Sequence, residues 1–159
     1  DVVGLDTMVH VIKTMQDHLK DDPFYSTYAA PPLLARRIEQ GALGQKAGAG
    51  FYKKVSKDIL RIDAASATYV AGGGKVDDIV ARILKEKDPA KRMKALHDST
   101  NPQAQFLWAI YRDVFHYIAI HLESIADNAR DVDFALRFGF GWNLGPFETW
   151  EAACLPQVH

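Results

Sequence analysis

Chemistry in this chain would have to come from six histidines, one cysteine and two glycine-dense strings. A histidine pair that shares a metal or a proton on one helix needs a spacing of three or four residues. His116 and His121 are five apart, and Glu123 follows His116 by seven, two turns away and beyond direct hydrogen-bond reach. No His-Glu-x-x-His string occurs that would set two imidazoles and a base around zinc. His10, His18 and His97 stand among polar neighbours and read as surface residues. Cys154 lacks the positive surroundings that activate a thiol, so a buried or incidental cysteine is expected there rather than a nucleophile. The sequence supports no Ser–His–acid arrangement. No catalytic, cofactor-binding or metal residue is therefore assigned.

The first glycine string runs from Gly41 to Gly50, as Gly-Ala-Leu-Gly-Gln-Lys-Ala-Gly-Ala-Gly. A Walker loop would need Lys followed by Ser or Thr, because that hydroxyl holds the magnesium ion. Lys46 is followed by Ala47 instead. A dinucleotide fingerprint would need its glycines between a strand and a helix. Gly48-Ala-Gly50 is followed by Phe51-Tyr52-Lys53, where no helix begins, so a structural turn is expected. The second string is Gly139-Phe-Gly-Trp-Asn-Leu-Gly145-Pro-Phe-Glu148. Its density of glycine permits close backbone approach, and Phe140, Trp142, Phe147 and Trp150 supply packing mass around a helix–helix corner.

The elements that would position these strings are mostly helical. Asp6 or Thr7 can cap a first helix whose apolar face is Met8, Val11, Ile12, Met15 and Leu19. Asp21-Asp22-Pro23 stops it, and a loop with Tyr25 and Tyr28 follows. Pro31-Pro32 opens a short helix through Gln40, with Gly41 closing it. Gly50-Phe-Tyr and Ile59–Asp63 read as two extended arms of a hairpin, and Ala67–Val70 as a weaker extended segment. Gly72-Gly-Gly reads as a flexible joint, giving expected regions of 1–72 and 73–159. Val76, Ile79, Val80, Ile83 and Leu84 form an amphipathic helix, and a second short one covers Pro89–His97. Asn101-Pro102 starts a long helix to about Asp127, with a stripe of Phe106, Ile110, Val114, Tyr117, Leu122 and Ile125. Trp108, Phe115 and Ala119 lie on its other faces, so more than one side should be covered. Asp131 caps a helix ending at Gly139, and Gly145-Pro146 opens another with Glu148 in its first turn.

Composition narrows the classes. The 159 residues are 48% apolar and 25% charged, the mix of an ordinary soluble globular protein of one domain's size. A net charge of −1 gives no bulk attraction to nucleic acid or to an anionic membrane. The Lys-rich stretch Lys85–Lys94, interrupted by Glu86 and Asp88, reads as a solvated helix face. A lone cysteine fits a reducing compartment, and a cytoplasmic location is expected. No apolar run approaches the roughly 20 residues that span a bilayer. Both ends read as the interior of a longer fold.

Three strings together resemble the C-terminal domain of the 3-hydroxyacyl-CoA dehydrogenases: Asp1-Val-Val-Gly-Leu-Asp-Thr7, Gly44-Gln-Lys-Ala-Gly-Ala-Gly-Phe-Tyr52 and Gly139–Glu148. The resemblance implies a mainly α fold, a helical bundle of two related repeats of the 6-phosphogluconate dehydrogenase C-terminal type, with a small extended hairpin near residues 50–70. In the family a Gly-Pro-Phe-Glu turn shortly precedes the Gly-Leu-Asp-Thr segment, whereas here it comes near the other end. Glu151-Ala-Ala-Cys-Leu155 then falls where Asp1–Leu5 would be in a second copy, with Pro156-Gln157 in place of Asp6-Thr7. Two copies are a feature of multifunctional members that also carry an enoyl-CoA hydratase part. The chain would thus hold the second half of one repeat and the first half of a degenerate next.

The same resemblance implies that NAD belongs to the parent enzyme and not to this segment, since the fingerprint and the catalytic His–Glu pair lie upstream in the family. It implies acyl-CoA and the parent's NAD-binding domain as partners, with another repeat or another subunit in a homodimer as a packing partner. Some members place a substrate-facing Tyr just before the second glycine turn. Phe138 stands there with Gly139 after it, and without the hydroxyl they make only a weak substrate contact. Two other functions compete. One is a non-enzymatic helical packing or dimerisation module. The other is the helical domain of a different hydroxy-acid dehydrogenase, against which the Gly44–Tyr52 string argues.

Overall fold

The computed structural model describes residues 1–154 and divides them into two compact units, the first ending at Gly74 and the second beginning at Lys75. Seven α-helices and one small antiparallel sheet form the mainly α architecture among these residues. Leu155, Pro156 and Gln157, which carry part of the comparison with a second repeat, lie outside the described residues.

In the first unit, α1 (Leu5–His18) and α2 (Pro32–Glu39) pack on each other, joined by a loop with a 3₁₀ turn at Tyr25–Thr27. Asp22 organises that loop, accepting from the Phe24 N–H at 2.7 Å and the Tyr28 hydroxyl at 3.0 Å. Pro32 starts α2 at a position whose N–H would be unbonded in any case. Neither Asp6 nor Thr7 caps α1. The N-cap is Gly4, whose φ of 112° suits glycine, and the Leu5 N–H is taken by the Leu43 carbonyl at 3.0 Å. The helix start is satisfied by a distant loop, which leaves Asp6 inside the first turn. Met8 and Val11 of the expected core face are exposed here, and Leu5 is the buried residue of this helix.

The expected hairpin is a three-stranded sheet. β1 (Tyr52–Val55) pairs with β2 (Asp58–Ile62), and β2 pairs with β3 (Tyr69–Ala71), the segment read as weakly extended. Asp63 builds the β2–β3 turn by accepting from the Ser66 N–H at 2.8 Å and its hydroxyl at 2.7 Å. Gly72 is not a free joint. Its N–H bonds the Ile59 carbonyl at 3.2 Å, and a Cβ there would collide with that oxygen. The glycine is needed for close approach at the sheet edge.

The second unit is α-helical: α3 (Asp78–Lys85), α4 (Pro89–Asp98), α5 (Pro102–Ile125), α6 (Ala129–Phe140) and α7 (Pro146–Cys154). Its core is Val80, Met93, Leu96 and Ala104, with Ile83, Leu107, Trp108, Tyr111 and Ala153 packed around it. Full burial of side chains such as Met93 and Leu96 is worth about 1.5–3 kcal/mol each. Asp88 caps α4, accepting from the Ala90 N–H at 2.9 Å, and Asn101 caps α5 through the Gln103 N–H at 2.9 Å. Asn101 also donates to Asp77 at 2.7 Å, tying the start of α5 to the start of α3.

Two expectations change in this unit. The cap of α6 is Asn128, which accepts from the Asp131 N–H at 3.1 Å, and the helix runs past Gly139 to Phe140 before Gly141 turns left-handed at φ 68°. The buried line of α5 passes through Ala104 and Phe115, with Leu107, Trp108 and Tyr111 half-buried, while Phe106, Ile110 and Ile125 are exposed. A helix apolar on several sides has no unique stripe, and the small Ala104 admits the close packing that a bulky residue would block.

Candidate functional site

The first glycine string folds as a lock rather than a cradle. Gly44 donates to the Ala49 carbonyl at 2.7 Å, Gln45 to the Asp1 carbonyl at 3.0 Å, Ala47 to Gly44 and Gly48 to Gln45, each at 3.0 Å. The Asp1 carboxylate accepts from the Phe51 N–H at 3.0 Å and the Tyr52 N–H at 2.8 Å. Lys46 reaches Asp6 at 2.6 Å, and its hydrogen bond holds that carboxyl below its ordinary range. Gly44, at φ 111°, lies so close to the Asp1 backbone that a Cβ would overlap the carbonyl. A pyrophosphate site needs unspent N–H donors at a helix N-terminus. Here these donors are bonded internally, one carboxylate already occupies the turn, and a strand follows. The residues do not fit the pyrophosphate of NAD.

The second string is organised around Asp133, a buried carboxylate on α6. It accepts from the N–H groups of Phe147 at 2.8 Å and Glu148 at 3.2 Å, capping α7 from a neighbouring helix. Glu148 turns back to take the Gly145 N–H at 2.7 Å and the Arg137 guanidinium at 3.0 Å. Thr149 donates its hydroxyl to the Gly145 carbonyl at 2.8 Å. Burial raises the Asp133 carboxyl above its ordinary value, against the lowering pull of the two N–H donors, and the nearby charge of Glu148 adds to the rise. This cluster is a helix-corner clamp, with no histidine or cysteine in its bonded set.

Phe138 and Gly139 lie at the end of α6 beside that clamp. Phe138 is 81% exposed, with its ring 5.5 Å from that of Phe134, and a Cβ on Gly139 would meet open space. Gly141, Trp142, Asn143 and Leu144, a few residues on, line a cleft of about 700 Å³ to which Phe138 and Gly139 do not contribute. Cys154 is exposed, which overturns the expectation of a buried thiol. Among the described residues no group of three or more His, Cys, Asp and Glu side chains could hold a metal ion. No helix among them is long and apolar enough to cross a membrane. Asp133 was the residue that sequence reading missed; an acid inside a helix, twelve residues before Gly145, gives no local signal that it caps the next helix.

The family model for the 3-hydroxyacyl-CoA dehydrogenase C-terminal domain matches residues 1–54. A probable 3-hydroxyacyl-CoA dehydrogenase of Bacillus subtilis (strain 168) is 37% identical over 157 residues, covering 99% of this chain and 20% of its own. A putative fatty acid oxidation complex trifunctional enzyme of Rickettsia felis is 28% identical over 155 residues, again over 20% of its own length. A 3-hydroxybutyryl-CoA dehydrogenase of Mycobacterium tuberculosis (strain ATCC 25618 / H37Rv) is 44% identical over 52 residues, 33% of this chain and 17% of its own. The chain therefore spans about a fifth of the length of the long relatives it matches. No solved structure matches it significantly.

Proposed function

We propose that this chain, similar to the 3-hydroxyacyl-CoA dehydrogenase C-terminal domain over residues 1–54 and to a probable 3-hydroxyacyl-CoA dehydrogenase over nearly its whole length, is the substrate-pocket and domain-packing segment of an NAD-dependent enzyme of fatty-acid β-oxidation, inactive on its own. The carrying observation is that the matched segment, residues 1–54, coincides with the Asp1–glycine-loop lock. Such a lock fixes a helix start and a turn, and its charged groups serve the fold: Asp1 accepts from the Phe51 and Tyr52 N–H groups, and Asp6 pairs with Lys46. Under this reading NAD and the catalytic pair reside elsewhere in the parent, acyl-CoA is the parent's substrate, and the location is cytoplasmic. The weak substrate contact at Phe138 and Gly139 belongs to the same proposal. So does the pair of related repeats, with the boundary falling in the Gly72–Gly74 stretch.

The test is direct. Purified chain mixed with NAD and a 3-hydroxyacyl-CoA should form no NADH above the blank, whereas the full-length parent should. NADH formation by the chain alone would overturn the proposal. The competing reading is a non-enzymatic packing or dimerisation module, which the exposed apolar residues Val2, Val3, Met8 and Val11 favour. A parent enzyme whose KM for acyl-CoA is unchanged after this segment is removed would support the module and defeat the pocket role.

A further inference from the structure

The cleft beside the second glycine turn is built entirely from the helical unit and lies outside the family match. Its walls come from four places in the fold. Ile110, Tyr111, Val114 and Phe115 supply one face from α5, Leu144 and Pro146 another from the turn and the start of α7, and Trp142 rims it. The only charged side chains among its lining residues are Lys87, just before α4, and Arg92, near the start of α4, and no carboxylate lines it. Asp88, between them in sequence, is spent on the α4 N-terminus.

Neither cation has an ion-pair partner among the described residues. Arg92 gives one donor to the Glu86 carbonyl at 3.0 Å, which anchors the guanidinium while leaving further N–H groups to spare. An apolar cleft of this size falls in the range of small-molecule sites, about 300–1,000 Å³. Its apolar walls can take up hydrocarbon, and its two unpaired cations are complementary to one anionic head. Aliphatic and aromatic walls contributed by separate elements suit a flexible chain better than a rigid ring.

We infer that this cleft binds an alkyl carboxylate, with its head at Lys87 and Arg92 and its chain against Ile110, Val114, Phe115 and Leu144. Sodium decanoate, below its micelle concentration, is the probe, and the whole chain is the protein, followed by calorimetry and by tryptophan fluorescence. Saturable binding is expected. Lys87→Gln and Arg92→Gln should each weaken it about tenfold, as loss of a charge-assisted contact does. Lys87 is exposed and bonds nothing in the fold, so its variant separates binding from folding should Arg92→Gln disturb α4. Decanol should bind more weakly than decanoate and be insensitive to both substitutions, and Ile110→Trp, which fills the cleft from an exposed position, should abolish binding of either. No saturable binding of decanoate would overturn the inference, as would equal affinity for decanoate and decanol, or decanoate binding unaffected by Lys87→Gln and Ile110→Trp.

Discussion

Asp133 fills the space that a side chain on Gly145 would need: a Cβ built on Gly145 would overlap both the carboxylate and the backbone Cα of Asp133. The two residues are twelve apart in sequence, on α6 and just before α7. This contact makes the corner between the helices possible, because only a residue without Cβ lets the carboxylate reach the N–H groups of Phe147 and Glu148. Gly145→Ala should therefore destabilise the helical unit by about 1–3 kcal/mol, an overpacking cost that backbone atoms cannot relax away. Asp133→Ala should cost about 1–2 kcal/mol through the lost cap. Urea unfolding of both variants checks the pair, and a Gly145→Ala protein as stable as the parent would contradict the geometry.

The same carboxylate should titrate abnormally. Burial, with help from the Glu148 charge, raises Asp133 above its ordinary value of 3.8. The native state then keeps that proton to higher pH than the unfolded chain does. Its contribution to stability is full below the unfolded pKa and declines as pH rises through the raised native value. Asp6 behaves oppositely, because Lys46 lowers it. Its contribution is present above the unfolded pKa and disappears as pH falls through the lowered native value. Side-chain carboxyl NMR should place the Asp133 midpoint above 3.8 and the Asp6 midpoint below it.

How far the fold could be read in advance depended on whether each signal was local. Pro32, Asn101-Pro102 and Gly145-Pro146 fix helix starts through their own backbone chemistry, and the helices begin there. The cap of α1 could not be found that way, since the Leu5 N–H is satisfied by Leu43, nearly forty residues off. The apparent flexibility of Gly72 dissolved for the same reason, once Ile59 of a neighbouring strand was placed against it. On α5, apolar residues on several faces hid which line was buried. The cations of the cleft were visible only as part of a Lys-rich run. Their shared direction depends on the packing of α4 against α5 and α7, which spacing along one helix does not encode.

The lock on the first glycine string separates two kinds of contribution. Gly44→Ala meets the Asp1 carbonyl and must also leave a φ of 111° that side chains rarely adopt. A loss of about 1–3 kcal/mol is expected. Lys46→Ala removes only an exposed ion pair with Asp6, screened by water and salt, and should cost far less. Thermal unfolding at low and high salt should show a salt-dependent difference for Lys46→Ala and none for Gly44→Ala. A Lys46→Ala loss equal to that of Gly44→Ala would mean that the ion pair, and not the backbone approach, holds the loop.

Arg37 presents the opposite case, a buried cation with no carboxylate beside it among the described residues. It donates to Gln40, and its guanidinium lies 5.7 Å from the centre of the Tyr69 ring, whose hydroxyl in turn donates to the Gly50 carbonyl at 2.6 Å. Arg37 thus links α2 to β3, and through Tyr69 to the glycine loop. Burial of a guanidinium without a counter-charge is costly, so an unbranched apolar replacement that keeps the packing should be tolerated. Arg37→Met should lie within about 1 kcal/mol of the parent in either direction. Arg37→Ala, which leaves a void, should lose about 2 kcal/mol or more. Tyr69→Phe, which strands the Gly50 carbonyl, should lose about 1 kcal/mol. Chemical denaturation ranks the three variants, and an Arg37→Met protein less stable than Arg37→Ala would show that the charge itself stabilises this unit.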